Sequence, residues 1–372
     1  MAGLYFHIPF CKRICASCDF YKSVGLGRME ELAAAMHREL EAQREYLGGE
    51  AVRTRYFGGG TPSLCPPGTI AGLLDHAGEL FDCSAAEETT LEANPDDLTP
   101  EYLAALRRAG IDRLSIGVQS FDDACLKLMN RRHDAAQALQ AVRSAQAEGY
   151  ENITVDLIFG VPGFGGDSLR RTLDTALGLN VQHISAYHLT IEPDTAFGRR
   201  AARGEFAPVD EAVSEAEYAL VHETLTGAGF EHYEVSNFAL PGFRARHNAS
   251  YWHGAKYLGI GPAAHSFDGR ERHWNVSSVE DYLAGAAAET ETLTDRDGRH
   301  RPGGNGGSFR SGTHGADAAR RGALDTSRSA RRFRRTDGRA GGPDAGFRCG
   351  DRGAFRNVTA PQPGETEMLS YY

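Results

Sequence analysis

Six short apolar segments alternate with longer helical patterns along the first 190 residues, and this alternation restricts the possible folds more than any other feature. The short segments are typical of strands and the longer ones of helices. The predicted strands are Leu4–Ile8, Thr54–Phe57, Thr89–Ala93, Arg113–Val118, Ile153–Phe159 and His183–Leu189. The predicted helices lie near 28–46, 67–80, 100–109, 134–148 and 167–178.

Strands separated by crossover helices are typical of a parallel sheet, so the sequence predicts an α/β fold curled into a partial (β/α)6 barrel. Such sheets bind ligands at the carboxyl ends of their strands, where the conspicuous motifs of this chain also lie. The predicted domains are the barrel over 1–204, a smaller α+β extension over 205–296 and a tail over 297–372. The extension is predicted to contain a helix at about 211–228 and a strand over Glu231–Val235.

The composition changes abruptly near residue 297. After residue 300 the chain contains no Ile, one Val and two Leu, together with 13 Arg and 7 acidic residues. Such a segment cannot bury enough apolar surface to offset the entropy of ordering it. We favour a reading frame lost near His300 over a natural disordered tail, and we rank a basic RNA-binding tail last because regular repeats and interleaved aromatic residues are missing.

Charge and hydropathy exclude several classes of function. The net charge is −10, and since the segment after residue 300 contributes about +6, residues 1–300 carry about −16. An acidic body does not indicate nucleic-acid binding. No basic, apolar leader and no run of 18 apolar residues is visible, so the sequence predicts a cytoplasmic protein.

Three cysteines follow the first predicted strand with the spacing C-x3-C-x2-C, at Cys11, Cys15 and Cys18. Three neighbouring thiolates can hold a cubane [4Fe–4S] cluster and leave its fourth iron open to a small molecule. A structural zinc site is less favoured, because it needs a fourth ligand and no partner pair follows downstream. The scattered remainder are predicted to be buried or incidental: Cys65, Cys83, Cys125 and Cys349.

A glycine-rich loop, Gly58-Gly59-Gly60-Thr61-Pro62, ends the second predicted strand. Glycines let a backbone approach a ligand closely. With the cysteine motif, this loop resembles the radical S-adenosylmethionine superfamily. Four further motifs resemble the oxygen-independent coproporphyrinogen III oxidase-like family: Glu92-Ala93-Asn94-Pro95, residues 114–121 (LSIGVQSF), Arg131-x-His133, and residues 156–163 (DLIFGVPG).

The resemblance implies a [4Fe–4S] cluster on the three cysteines, whose open iron chelates S-adenosylmethionine. The positions that match the surroundings of the first S-adenosylmethionine are Tyr5, Gly59, Gly60, Thr61 and Glu92. Those that match the surroundings of this molecule or of a second copy are Gln119, Arg131 and Asp156.

Alternatives stay open for several of these positions. Arg131 could belong to a solvated charge cluster, and Gln119 could merely cap a strand end. Glu92 and Asp156 lie in apolar strand segments, where an unpaired carboxylate would be costly, so a ligand role is favoured for both.

One departure separates two branches of the family. Its decarboxylating oxidases carry a fourth cysteine two residues after the third, where this chain has Phe20, and a longer arm before the first cysteine. The chain therefore resembles the heme-chaperone branch. The segments 233–239, 246–252 and 259–266 resemble that branch as well. His247, beside Tyr251 and Trp252, is predicted as a heme ligand, with a packed polar corner between barrel and extension as the alternative.

Two functions follow from the resemblance. The first is a heme chaperone that binds the cluster, S-adenosylmethionine and heme and delivers heme to client proteins of respiratory type, through which it would associate with membranes. The second is a radical S-adenosylmethionine coproporphyrinogen III oxidase of porphyrin biosynthesis. The missing fourth cysteine favours the first, without oxidase activity and without an assigned catalytic residue.

Overall fold

The computed structural model describes residues 2–292. Its strands are β1 (Ala2–Ile8), β2 (Val52–Gly59), β3 (Glu88–Ala93), β4 (Arg113–Gln119), β5 (Ile153–Phe159), β6 (His183–His188), β7 (Glu231–His232), β8 (Asn237–Ala239), β9 (Lys256–Ile260), β10 (His265–Phe267), β11 (Glu271–Trp274) and β12 (Glu289–Thr292). Its helices are α1 (Met29–Ala42), α2 (Pro67–Leu80), α3 (Pro100–Arg108), α4 (Asp123–Leu128), α5 (Ala135–Ala147), α6 (Asp167–Gly178), α7 (Ala196–Ala202), α8 (Glu211–Gly227), α9 (Arg246–Trp252) and α10 (Val279–Leu283).

All the strands belong to one sheet with the order β12-β11-β10-β9-β1-β2-β3-β4-β5-β6-β8-β7. Strands β1 to β6 pair in parallel with their sequence neighbours, and β9 adds in parallel to the other side of β1. Strand β8 pairs with β6 in the antiparallel sense. This arrangement confirms the predicted α/β partial barrel.

The sheet separates an apolar layer from a polar interior. Leu4, Phe6 and Ile8 of β1 are at most 1% exposed and belong to the same apolar cluster as three buried residues of α1. Phe6 stacks on Phe57 of β2 with ring centroids 4.6 Å apart. Burying a side chain of this size stabilises the fold by about 1.5–3 kcal/mol. The residues between them, such as Tyr5 and His7, point to the other face because side chains alternate along a strand.

The six predicted barrel strands and the five predicted barrel helices are present, with boundaries that differ by a few residues. The short helices α4, α7, α9 and α10 were not predicted, because five to seven residues are too few to show a helical period. The predicted strand over Glu231–Val235 is present but shorter: β7 ends at His232, and the chain turns back into β8. The turn is held by the Tyr233 N–H, which donates to the Asn237 carbonyl, and by the Ser236 N–H, which donates to Glu234.

The strands that follow residue 205 extend both sides of the barrel sheet: β8 and β7 beyond β6, and β9 to β12 beyond β1. The domain division between residues 204 and 205 stays a prediction. The predicted tail over 297–372 lies outside the described residues. None of the helices within residues 2–292 is long and apolar enough to cross a membrane.

Candidate functional site

The loop after β1 carries the three clustered cysteines. Its base is closed by the Cys11 N–H, which donates to the Ser23 carbonyl at 2.9 Å, and by the Ser23 N–H, which donates to the Pro9 carbonyl at 2.8 Å. Cys11 is buried, whereas Cys15 and Cys18 are partly accessible. Burial raises the pKa of the Cys11 and Cys18 thiols. All three cysteines are free, and of the others in the described part of the chain Cys65 and Cys125 are buried.

Two side chains donate hydrogen bonds to these sulfurs. Thr61 Oγ1 donates to Cys11 Sγ at 3.3 Å, and Arg131 Nη1 donates to Cys15 Sγ at 3.1 Å. A hydroxyl and a guanidinium both stabilise a thiolate, which is the form that binds metal. The loop therefore presents soft sulfur donors that neighbouring side chains already support.

The distances among the three cysteine sulfurs help to distinguish a single zinc ion from a multinuclear cluster. Within residues 2–292, the only set of three potential ligand atoms that all lie within 4.8 Å of one another is formed by Asp268, Glu271 and His273. The three cysteine sulfurs are thus more widely spread. Thiolates on a single zinc ion would lie only about 3.8 Å apart, given zinc–sulfur bonds of about 2.3 Å. The donor set fits a multinuclear cluster better than one zinc ion.

The glycine loop packs directly against the cysteine loop. The Gly60 N–H donates to the Ile8 carbonyl at 2.8 Å, and a Cβ on Gly60 would lie 2.6 Å from the carbonyl carbon of Pro9. Gly59 has a φ of 109°, and a Cβ there would meet the ring of His7 at 2.7 Å. Close contacts with neighbouring protein atoms therefore require glycine at both positions, in addition to the close approach of a ligand that the sequence indicates.

Glu92 lies near the end of β3 and points into the barrel. Its carboxylate accepts hydrogen bonds from the Tyr56 hydroxyl at 2.7 Å and from the Gly59 N–H at 3.2 Å. Burial raises the pKa of Glu92 to about 7, and the nearby Asp156 contributes to the rise. An ammonium group would stabilise the ionised form of such a carboxyl, so Glu92 fits a position beside S-adenosylmethionine, which carries an ammonium group, as the family resemblance implies.

Asp156 lies on β5, which is separated from β3 by one strand. It accepts a hydrogen bond from Ser115 Oγ at 3.0 Å, and burial raises its pKa to about 6 although Ser185 and Ser115 act in the opposite direction. Two half-buried carboxyls, Asp156 and Glu92, therefore face the same interior. An interior of this kind is suited to a ligand with hydroxyl and ammonium groups.

Arg131 is part of the interior rather than of a solvated charge cluster. Its Nη2 donates to the Gly117 carbonyl at 2.7 Å and to Asn94 Oδ1, in addition to the contact with Cys15. Its Nε is buried and has no hydrogen-bond partner. Its neighbour Arg132 forms the ion pairs instead, with Asp96 and Asp97.

Gln119 ends β4 in a strained backbone conformation. Its φ is 67°, which is uncommon for a residue with a Cβ, and the pairing of β4 with β5 is irregular at this point. The Gln119 amide and the Arg131 guanidinium lie on the same side of Gly117. A Cβ added to Gly117 would be 3.0 Å from Gln119 Nε2 and 3.2 Å from Arg131 Nη2. Strain of this kind is typical of functional sites.

The structure places His247 at the other end of the barrel. It lies in the first turn of α9, and its backbone N–H donates to Glu88, the first residue of β3. Its Nδ1 lies 2.8 Å from Thr54 Oγ1, and its Nε2 lies 2.8 Å from the Tyr251 hydroxyl. The side chain is 1% exposed, and burial lowers its pKa to about 3.

These contacts match the packed polar corner that the sequence left open for His247. Both ring nitrogens are within hydrogen-bond distance of a hydroxyl, so coordination of iron would require one of these bonds to break. The neighbouring Trp252 is 51% exposed, so the aromatic surface predicted beside His247 is partly accessible.

A buried ion pair lies at the same end of the barrel as His247. We call this end the barrel floor; it is formed by Thr54, Glu88, Arg113 and the first turn of α9. Arg113, 1% exposed, donates to Asn152 Oδ1 and Thr154 Oγ1 at 2.6 Å each, and lies 3.8 Å from the Glu88 carboxylate. Sequence reasoning missed Tyr56, Glu88 and Arg113. The available signal was the recurrence of polar residues at alternate positions of these strands, which indicates a polar inner face.

The chain is similar to known proteins over most of its length. The radical SAM superfamily model matches residues 5–176. The heme chaperone HemW of Mycobacterium tuberculosis is 42% identical over 291 residues, which cover 76% of this chain and 75% of the relative. HemW of Lactococcus lactis is 37% identical, covering 77% and 74%. Coproporphyrinogen III oxidase of Escherichia coli has a similar structure, with a TM-score of 0.69 at 25% identity over 79% of this chain and 72% of that one.

Proposed function

Because the chain belongs to the HemW heme chaperone family of the radical S-adenosylmethionine superfamily, we propose that it binds heme and delivers it to client proteins. The observation that carries the proposal is the 42% identity to a heme chaperone over three quarters of both chains. Phe20, where the oxidases of the wider family have a fourth cysteine, supports the same conclusion.

The cysteine loop would hold the [4Fe–4S] cluster through Cys11, Cys15 and Cys18, and the cluster supplies an open iron for S-adenosylmethionine and an electron. Glu92 would bind the ammonium group of that molecule and Arg131 its carboxylate. Asp156 would accept a hydrogen bond from a ribose hydroxyl, and Gln119 would lie beside it. The remaining proposed contacts are Tyr5, Gly59, Gly60 and Thr61.

Heme is the proposed cargo, with His247 as its proposed ligand and the aromatic side chains of α9 as its surface. In the structure His247 is buried and engaged, so this role requires α9 to move. The proposed recipients are heme proteins of respiratory type. The proposed location is the cytoplasm, with membrane contact only through such clients and without nucleic-acid binding.

A second candidate function is favoured by the structural likeness to coproporphyrinogen III oxidase. The interior carboxyls and the cysteine loop are compatible with radical chemistry on a porphyrinogen. The identity to this oxidase is 25%, well below that to the heme chaperones, and the fourth cysteine is replaced by Phe20. We therefore rank it second.

The test is a pair of assays on anaerobically reconstituted protein. Hemin titration followed at the Soret band should show saturable binding, while coproporphyrinogen III with S-adenosylmethionine and a reductant should yield no vinyl product. The Cys11→Ala, Cys15→Ala, Cys18→Ala triple variant should contain no cluster by iron and sulfide analysis. Turnover to protoporphyrinogen would overturn the chaperone proposal in favour of the oxidase.

A further inference from the structure

Glu92 is held by two donors from the neighbouring strand β2. The Tyr56 hydroxyl donates to Glu92 Oε1 at 2.7 Å, and the Gly59 N–H donates to Glu92 Oε2 at 3.2 Å. Each carboxylate oxygen therefore has one protein donor, and both donors come from a single strand. A carboxylate offers about four acceptor positions, so about two remain for a ligand. The two bonds orient the plane of the carboxylate and leave room on it for a ligand donor.

The Tyr56 ring is itself fixed by its neighbours. It is 8% exposed, and it stacks on the His247 ring with centroids 4.9 Å apart and on the Tyr5 ring with centroids 6.0 Å apart. A Cβ added to Gly58 would lie 2.9 Å from a carbon of each tyrosine ring, so glycine at this position leaves room for both. A ring packed in this way has few alternative rotamers. The Tyr56 hydroxyl therefore has a defined position.

Tyr56 orients Glu92 without neutralising its charge. A phenol hydroxyl and a peptide N–H are neutral donors, and no Lys or Arg side chain in the described part of the chain forms an ion pair with this carboxylate. Asp97 shows the contrast, because it pairs with the guanidinium of Arg132 at 2.7 Å. The negative charge of Glu92 is therefore available to a cationic group of a ligand.

The surroundings of Glu92 decide how readily it carries that charge. Burial raises its pKa to about 7, and the Asp156 carboxyl on β5 adds to the rise. Tyr5 on β1 and Tyr187 on β6 also lie near Glu92, but they stay uncharged at neutral pH because burial raises their pKa values. The Tyr56 hydroxyl acts in the opposite direction on the pKa of Glu92, because it donates to the ionised carboxylate.

The Tyr56 hydroxyl thus affects both the orientation and the charge of Glu92. We propose, on the basis of the proposed function, that Tyr56 is a positioning residue for S-adenosylmethionine, whose hydroxyl orients the Glu92 carboxylate and keeps it ionised for the ammonium group. Tyr56 acts through Glu92 and needs no contact with the ligand. Without the hydroxyl, the carboxylate loses one of its two donors and takes up a proton more readily, so S-adenosylmethionine must compete with that proton.

The first experiment measures dissociation constants for S-adenosylmethionine by equilibrium dialysis of the cluster-loaded full chain between pH 6 and pH 8.5. The constant of Tyr56→Phe should exceed that of the wild type by about tenfold at pH 6, and this ratio should decrease toward pH 8.5, where Glu92 is mostly ionised in both proteins. Titration of the ligand is common to both proteins and cancels in the ratio. Tyr150→Phe is the matched control, because it also removes a buried hydroxyl, here bonded to the Leu103 carbonyl, and its ratio should stay near one.

Infrared difference spectroscopy gives a second readout that needs neither the cluster nor the ligand. The difference between the wild type and Glu92→Gln follows the Glu92 carboxyl, and its titration midpoint should lie near pH 7. The same difference recorded in the Tyr56→Phe background should have its midpoint about one pH unit higher.

The outcomes separate this proposal from the proposed function. An infrared midpoint that is unchanged by Tyr56→Phe would overturn the positioning role. A ratio of dissociation constants that is the same at every pH would also overturn it, because a merely structural change weakens binding uniformly. Cluster-loaded wild-type protein that binds no S-adenosylmethionine at any pH would instead contradict the site assigned under the proposed function.

Discussion

At the scale of single residues, glycine at position 60 of the glycine loop serves both the proposed ligand and the packing of the cysteine loop. Gly60 matches a family position at the proposed ligand, yet its nearest neighbours are backbone atoms of Pro9 and Phe10 in the cysteine loop. Backbone atoms cannot rotate away as the end of a side chain can. The identity of residue 60 therefore controls how closely the two loops approach, in addition to any contact with S-adenosylmethionine.

Substitution of Gly60 by alanine should accordingly damage the cysteine loop. The added Cβ would lie 2.7 Å from the Pro9 carbonyl oxygen, and forced overpacking of this kind destabilises a protein by about 1–3 kcal/mol. We expect lower iron and sulfide content after reconstitution and a lower urea midpoint. Gly68→Ala in α2 is the control, because no atom lies within 4 Å of its added Cβ. Full cluster content in Gly60→Ala would contradict this assignment.

Glu92 should make the stability of the cluster-free protein depend on pH. Burial raises its pKa to about 7 from an ordinary value of 4.5, so the folded state favours the protonated form. This contribution to stability is fully present below about pH 4.5 and is lost as the pH rises through 7. The free energy of unfolding of Glu92→Gln, relative to the wild type, should therefore rise between pH 5 and 8 by on the order of 1–3 kcal/mol.

Urea denaturation at several pH values measures this difference. Glu101→Gln, an exposed position on α3, serves as the control and should show no comparable trend. A difference between Glu92→Gln and the wild type that stays constant across this pH range would show that the carboxyl does not titrate there.

The sequence allowed roles to be predicted for residues that belong to a motif. It did not allow this for residues whose partners are brought close only by the tertiary fold. Cys11, Glu92 and Arg131 could be named from their motifs, and the structure brings all three to one end of the barrel interior or beside it. Tyr56 and Glu88 could not be assigned roles, because their partners come from β3 and from α9, far away along the chain.

For His247 the motif left two roles open, a heme ligand and a packed polar corner between barrel and extension. Its burial and its two hydroxyl contacts match the second of these in this conformation, and the heme role stays a prediction. The difference arises because the sequence shows which residue types are neighbours along the chain but not how deeply the fold buries them.

At the scale of elements, α9 is a short helix, and its first turn closes the barrel floor. Glu88 accepts hydrogen bonds from the N–H groups of Arg246 and His247, and it also faces the buried guanidinium of Arg113. A carboxylate at a helix N-terminus satisfies donors that have no partner within the helix. The same group thus anchors α9 and balances a buried positive charge.

Glu88→Ala should be among the most destabilising single substitutions in the described part of the chain. It leaves the Arg113 charge buried without its partner, which typically costs about 3–5 kcal/mol. The neighbouring Glu87 is the matched control, since it is exposed and pairs with Arg53 and Arg246 at the surface, where such pairs are worth about 0–1 kcal/mol. Equal urea midpoints for Glu88→Ala and Glu87→Ala would contradict the role assigned to the floor.

Elements were predictable where the pattern was long and local. The barrel strands and the longer helices are visible as apolar runs and helical spacing, and they were confirmed within a few residues. The hairpin of β7 and β8 was not, because Glu231–Val235 has a strand-like composition while the turn depends on hydrogen bonds made by Tyr233 and Glu234. The addition of β9 beside β1 could not be predicted either, since pairing between distant strands leaves no local signal.

At the scale of the whole molecule, the composition after residue 297 predicts a difference in protease resistance along the chain. The segment has too few aliphatic residues to form a core of its own. Limited trypsin digestion should cleave first at arginines beyond residue 300 and leave a fragment that contains the sheet, with the sites identified by mass spectrometry. A resistant fragment derived from residues 301–372 would contradict this prediction.

The position of β1 between β2 and β9 has a consequence for biosynthesis. A ribosome adds about 5–20 residues per second, so β1 and its cysteine loop wait on the order of tens of seconds before β9 has been made. During that interval one edge of β1 has no neighbour, and the nascent chain exposes an apolar strand to other chains and to chaperones. The strand that carries the cysteine loop therefore acquires its second neighbour only after residue 260 has been synthesised.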